Sequence, residues 1–91
     1  MDYQKVILLG NTTADVEVKQ AKSGTEYARF SVAVSKGKDK TVFFPVTLFG
    51  ESVGAAAKVL SKGSRVLVEG TLDVNPKSGK FRVLSSIFRR T

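Results

Sequence analysis

Apolar residues along the chain fall into short runs of period two, interrupted once by a stretch with the period of a helix. Val6-Ile7-Leu8-Leu9 is continuous and apolar, so it predicts a central strand. Gly10 after it predicts a bulge or bend. The alternation of Val16 and Val18 with Glu17 and Lys19 predicts that the same strand then resumes. A long bent strand serving both sheets is what a small barrel needs in order to close. Ala21 to Thr25 has turn composition. From Tyr27 to Ser35 the pattern alternates: Ala28, Phe30, Val32 and Val34 share one face, Arg29, Ser31, Ala33 and Ser35 the other. From Thr41 to Phe49, Val42, Phe44, Val46 and Leu48 form an apolar face opposite Phe43, Pro45, Thr47 and Phe49. Pro45 has no N–H for the ladder, which predicts an edge or an irregularity on its side of the strand.

Between Gly50 and Ser61 the period changes. Val53, Ala56, Ala57 and Leu60 fall at i, i+3, i+4 and i+7, the buried stripe of a short helix that Lys62-Gly63 ends. Arg65 to Asp73 and Phe81 to Phe88 are two further strands, joined by the basic turn Asn75 to Lys80. Three strands, one helix, two strands is the order of an OB fold. The prediction is an all-β, five-stranded Greek-key barrel with its helix between strands three and four. Residues 1–91 have room for a single domain with one modest core.

So small a core is marginal by itself and needs a staple. The chain has no cysteine and no histidine, which excludes disulfides and a Cys/His zinc site. Self-association is the remaining staple, and a homo-oligomer is expected. The lack of histidine also weighs against acid–base catalysis near neutral pH. Gly50-Glu51-Ser52-Val53-Gly54 fits the pattern of a nucleophile elbow, but a Ser–His–acid triad needs a histidine, so Ser52 reads as a helix-start residue. The chain carries no dinucleotide-binding or phosphate-loop motif and no tight carboxylate cluster, so no enzyme activity, cofactor or metal is expected. No run approaches the ~20 apolar residues of a membrane span, and the N-terminus lacks a signal-peptide pattern. These observations predict a soluble, cytoplasmic protein with no membrane partner.

Charge adds the chemistry. Fifteen Lys and Arg against eight Asp and Glu leave a net charge of +7, which suits a polyanionic partner. Phe43 and Phe49 lie six residues apart on a face that a solvent-exposed strand would not normally fill with rings. Flat rings stack on any base, so the pair predicts sequence-tolerant binding of single strands. Phe81 falls on the adjacent barrel surface, or turns inward. The bland alternative buries all three rings in the barrel or between subunits. Candidate phosphate contacts are Arg29, then Lys36, Lys38 and Lys40 in the second connection, and Lys77, Lys80 and Arg82 at the last hairpin. Lys19 and Lys22 flank the first turn. A solvated rim that serves only solubility is their alternative.

Several blocks carry a resemblance. Lys5-Val6-Ile7-Leu8-Leu9-Gly10-Asn11 with Asp15-Val16-Glu17-Val18, then Phe30 to Ser35, Val46 to Gly50 and Leu60 to Leu72, resemble in order the bacterial single-stranded DNA-binding protein family. The resemblance implies an OB fold, sequence-tolerant binding of single-stranded DNA in replication, recombination or repair, nucleoid association, and homo-oligomers, with a tetramer favoured over a dimer. It implies base stacking at Phe43, where the family carries tryptophan, and at Phe49; Phe81 sits near an aromatic position of its last strand. The chain departs from the family in having no tryptophan and short second and last connections. The family's acidic C-terminal tip, which recruits partners, is also absent, as in a truncated chain or in one that coats DNA without recruiting. A primosomal replication protein of the PriB type, acting mainly through protein contacts, is the alternative, and RNA is the alternative ligand.

Overall fold

The computed structural model describes residues 2–91. Six strands and one helix follow in chain order: β1 Val6–Thr12, β2 Glu17–Gln20, β3 Glu26–Ser35, β4 Thr41–Phe49, α1 Ser52–Val59, β5 Arg65–Val74 and β6 Phe81–Arg90. The sheet runs β1-β5-β6-β4-β3-β2, and an additional β1–β3 pairing closes it into a barrel. The first two strands together are the bent strand expected from the sequence, so the barrel is the five-stranded closed form. The β4–β6 contact is the parallel pairing, Val46↔Val83 to Leu48↔Ser85.

The bend is not where Gly10 suggested. Gly10 lies within β1, opposite Val66 of β5. A Cβ at this position would run into the main-chain carbonyl of Ala33, so the glycine is there to let β1 cross β3 closely. The chain turns instead over residues 13–16, and the cause is remote. Thr12 is buried, and its hydroxyl donates to the Ser61 carbonyl at 2.6 Å and accepts from the Ser64 N–H at 2.9 Å. The Asp15 carboxylate accepts from the Lys62 N–H at 2.8 Å. The loop after the helix thus clamps both sides of the bend.

Twelve apolar residues fill the interior. They come from the predicted inward faces, among them Ala28, Phe30 and Val32 of β3, Val46 and Leu48 of β4, and Val66 and Val68 of β5. Each buried Val or Leu is worth about 1.5–3 kcal/mol relative to exposure. The helix is shorter than its apolar stripe implied, and Ala57 points to solvent. At eight residues it is too short to be stable alone and rests on the burial of Val53, Ala56 and Leu60. Pro45 lies one residue before the β4–β6 pairing begins, where that side of β4 is open. β1 is a central strand by its pairing, with β5 along Val6–Asn11 and with β3 at Asn11 and Thr12, but its outer face is not buried: Ile7 and Leu9 are exposed, because nothing among the described residues covers that face. No helix among the described residues is long and apolar enough to cross a membrane.

A bulge at Glu69/Gly70 shifts the β5–β6 register. The buried hydroxyl of Ser85 fills it, donating to the Glu69 or Ile87 carbonyl and accepting from the Ile87 N–H at 3.1 Å. Gly70 is required there, since a Cβ would meet the Leu84 carbonyl. Before the bulge, Val83 and Ser85 face inward; after it, Phe88 packs on the core and Ile87 turns out. Ser85→Ala leaves these partners buried and unsatisfied, so denaturant unfolding is expected to show a loss of about 1–3 kcal/mol. A stability equal to that of the parent would show that the bulge does not need the hydroxyl.

Candidate nucleic-acid interface

The period-two pattern of β3 and β4 builds the outward face. Their antiparallel register pairs Tyr27 with Phe49, Arg29 with Thr47, Ser31 with Pro45 and Ala33 with Phe43. Inward residues alternate with these, so the burial of Ala28, Phe30, Val46 and Leu48 forces the rings and Arg29 outward. Phe43 is 58% exposed and Phe49 37%. Thr47 between them is buried, flanked by Arg29 on β3 and Leu84 on β6.

Beside this strand pair runs a groove of about 620 Å³. Its lining brings together four cations, Lys19, Arg29, Lys80 and Arg82, with the rings of Tyr27 and Phe81. Two carboxylates, Asp15 and Glu17, also line it. Asp15 is turned to the Lys62 N–H, and Glu17 lies 3.6 Å from the Lys19 ammonium. Asp73 holds the Arg82 Nε at 3.1 Å. Arg29 forms no ion pair among the described residues, which makes it the freest guanidinium of the groove. Lys80 is placed by a tied turn: the Asn75 N–H donates to the Lys80 carbonyl at 2.8 Å, and the Asn75 side chain accepts from the Lys77 N–H at 2.9 Å.

The other predicted residues are placed less tightly. Phe81 lies in phase with the inward residues of β6, its ring edge-on to Phe44 at 6.0 Å, but it is 39% exposed at the groove's end. Lys36, Lys38 and Lys40 are exposed on the β3–β4 hairpin beyond Phe43, outside the groove lining. Lys77 is exposed on the last turn, also outside it. Ser52 uses its hydroxyl on the Ser86 carbonyl, tying the helix start to β6.

Sequence reasoning missed Tyr27. It stands directly across from Phe49, with ring centroids 6.2 Å apart and planes tilted by 39°. The available signal was its place in the alternation, level with Arg29 on the outward face of β3.

A barrel of this topology with cations and open rings on one outer groove is an oligonucleotide-binding barrel in class. Comparison with known proteins makes the class specific. The single-strand binding protein family matches residues 3–80, and the chain belongs to that family. It is similar to the single-stranded DNA-binding proteins of Wolinella succinogenes (38% identity, 77% of this chain, 48% of the relative) and Helicobacter hepaticus (37%, 88% and 54%). It is also similar to the mitochondrial single-stranded DNA-binding protein rim1 of Schizosaccharomyces pombe (41%, 75% and 47%). The crystal structure of a deletion mutant of the single-stranded DNA binding protein from Thermus aquaticus superposes with a TM-score of 0.84 at 30% identity, over 98% of this chain and 41% of that one. The chain spans about half the length of the curated relatives it matches.

The carboxylate on Arg82 gives a direct test of the groove's electrostatics. Asp73→Asn is expected to elute from heparin at higher salt than Glu51→Gln, a variant of equal net charge altered outside the groove. Equal elution would show that total charge, not the groove, governs polyanion binding.

Proposed function

We propose that the chain binds single-stranded DNA without enzymatic turnover and with little sequence preference. Phosphates lie along Lys19, Arg29, Lys80 and Arg82, and bases stack on Phe43, Phe49 and Tyr27. Phe81 serves at the groove's end. Lys36, Lys38, Lys40 and Lys77 add charge from the flanking loops. The observation that carries the reading is the exposure of Phe43 and Phe49 on one strand face beside a cationic groove, in a chain of this family. The six-residue step from Phe43 to Phe49 spans about 20 Å of strand, room for bases a few nucleotides apart.

Anisotropy titrations of labelled oligo(dT) at several salt concentrations test this. With about four phosphate contacts at roughly −0.7 each, log K falls against log salt with a slope near −3. Phe43→Ala loses on the order of 1–3 kcal/mol, one stacked base. A flat salt response, or equal affinity for duplex, counts against the reading, and matched RNA competitors decide the sugar preference.

We also propose that the protein works as a homo-oligomer, a tetramer rather than a dimer. Ile7 and Leu9 of β1 stand level with Glu69 and Leu67 of β5, which in turn pair with Ile87 and Arg89 of β6. Ile7, Leu9 and Ile87 are exposed, and together with half-buried Leu67 they form an apolar outer face away from the basic groove. A single chain does not normally leave such a face bare. Leu9→Lys is expected to lower the native mass in sedimentation to that of one chain. An unchanged mass would place the subunit contact elsewhere.

A further inference from the structure

The barrel is capped at one end only. α1 follows Phe49 at the end of β4, and the Ser52 hydroxyl ties its start to the Ser86 carbonyl on β6. At this end Val53, Ala56 and Leu60 are buried in one cluster with Ala28 and Leu48. Away from the helix, residues of the same inward parity lose their cover. Val34, Val42 and Phe44 are half-buried, and Leu72, Val74 and Phe81 are exposed by 38%, 50% and 39%. They adjoin one another: Val34 pairs with Val42, Val74 with Phe81, and the Phe44 and Phe81 rings lie 6.0 Å apart. Gln4 runs along the edge of β5, its side chain accepting from the Leu72 N–H at 2.9 Å, yet Leu72 and Val74 stay open. The face assigned above to the contact between subunits has the opposite parity, with Leu67 on β5 and Ile87 on β6, so association there leaves this end uncovered.

Cations surround the opening. β4 and β6 run parallel as neighbours, so the turns that lead into them, residues 36–40 and 75–80, stand at the same end. The two turns hold five lysines, Lys36, Lys38, Lys40, Lys77 and Lys80, and one carboxylate, Asp39. None of the five forms an ion pair among the described residues. An exposed apolar patch with a polar rim marks a contact surface, and this rim selects an acidic occupant. A second copy of the chain presents the same lysines and is repelled. Of the six apolar side chains, four are branched aliphatics, which offer a base no flat face to stack on. They suit the aliphatic stripe of a helix, the form of cover that α1 provides at the other end.

We propose that the open end of the barrel docks an acidic amphipathic helix of a partner protein. The aliphatic stripe of that helix lies over Leu72, Val74 and Phe81, and its carboxylates meet the lysines of the two turns. The same lysines, with Phe81, serve the single strand in the reading above, so helix and strand exclude one another. Occupancy by the partner lowers affinity for the strand, and the strand lowers affinity for the partner by the same factor. This competition rests on the single-strand reading; the docking itself does not.

The probe is a labelled synthetic peptide of about 18 residues, past the length at which isolated helices are marginal. It carries leucine at i, i+3, i+4 and i+7 and glutamate on the opposite face. Anisotropy titrations compare it with a peptide of the same composition whose leucines are shuffled out of period, against the full chain and against Val74→Ser. The amphipathic peptide is expected to bind the parent, and the shuffled one far more weakly. Val74 is half exposed, so its substitution is expected to leave folding intact. Losing about half of one valine's burial weakens the peptide about 3- to 12-fold, while native mass and oligo(dT) affinity stay those of the parent. Saturating oligo(dT) releases the peptide. Equal binding of the two peptides would reduce the attraction to charge alone and overturn the proposal. So would parent-like peptide binding by Val74→Ser, which puts the contact elsewhere, or an altered native mass, which gives this end to a second copy. Weaker oligo(dT) binding by Val74→Ser would give it to the strand and overturn the proposal too. A peptide that stays bound while oligo(dT) binds would overturn the competition. If oligo(dT) fails to bind the parent, the single-strand reading falls, and the two peptides still decide the docking.

Discussion

The hairpin of β3 and β4 governs everything else in this molecule. Its nine paired positions, from Tyr27↔Phe49 to Ser35↔Thr41, leave no freedom in which side chain faces which way. A one-residue slip would drive Phe43 and Phe49 into the barrel and push Phe44, Val46 and Leu48 into water. The hydrophobic burial that stabilises the core is thus the same force that holds the rings outward. Function at this surface needs no strain of its own, because the interior has already determined the exterior.

The basic surplus is unevenly engaged. Of the four groove cations, Lys19 and Arg82 have carboxylate neighbours, whereas Arg29 has none among the described residues. The carboxylates that meet Lys19 and Arg82 are exposed, and exposed ion pairs are worth about 0–1 kcal/mol. A phosphate can therefore displace or share them at little expense. Such weak pairing orients the cations and leaves their charge available. Asp15 differs, since its carboxylate is bonded to the main chain of Lys62 and serves the fold.

The legible parts of this sequence were those set by local period. The core faces of β3, β4 and β5 followed from alternation, and the helix from the stripe of Val53, Ala56 and Leu60. What could not be read was set at a distance. The bend over residues 13–16 is held by Ser61, Lys62 and Ser64, about half the chain away, so Gly10 drew attention that belonged elsewhere. The run Val6 to Leu9 looked buried on both faces because hydropathy reports that a surface wants cover, not whether its own chain supplies it. Phe81 sits at a strand end, where its phase follows the inward residues while its position leaves it partly open. That Tyr27 stands against Phe49 emerged only from the strand register. Phe43 and Phe49 were correctly seen as outward, since the opposite parity of the same strand was uniformly apolar.

The size of the site explains why an apolar outer face belongs with it. One groove with four cations and a few rings, without a tryptophan anywhere in the chain, offers limited contact to a single strand. Phosphate contacts of this kind also weaken steeply with salt. Joining subunits back to back through Ile7, Leu9, Leu67 and Ile87 would leave each basic groove free. A strand held in one groove would then meet the next at high local concentration, and linked engagement can raise overall affinity by about 10²–10⁴ without a new contact. The same association would bury the surface that a core of this size cannot cover. On this reading, stability and affinity are supplied by one event, and a subunit with its apolar face blocked should be both a weaker fold and a weaker binder, even with its rings and cations intact.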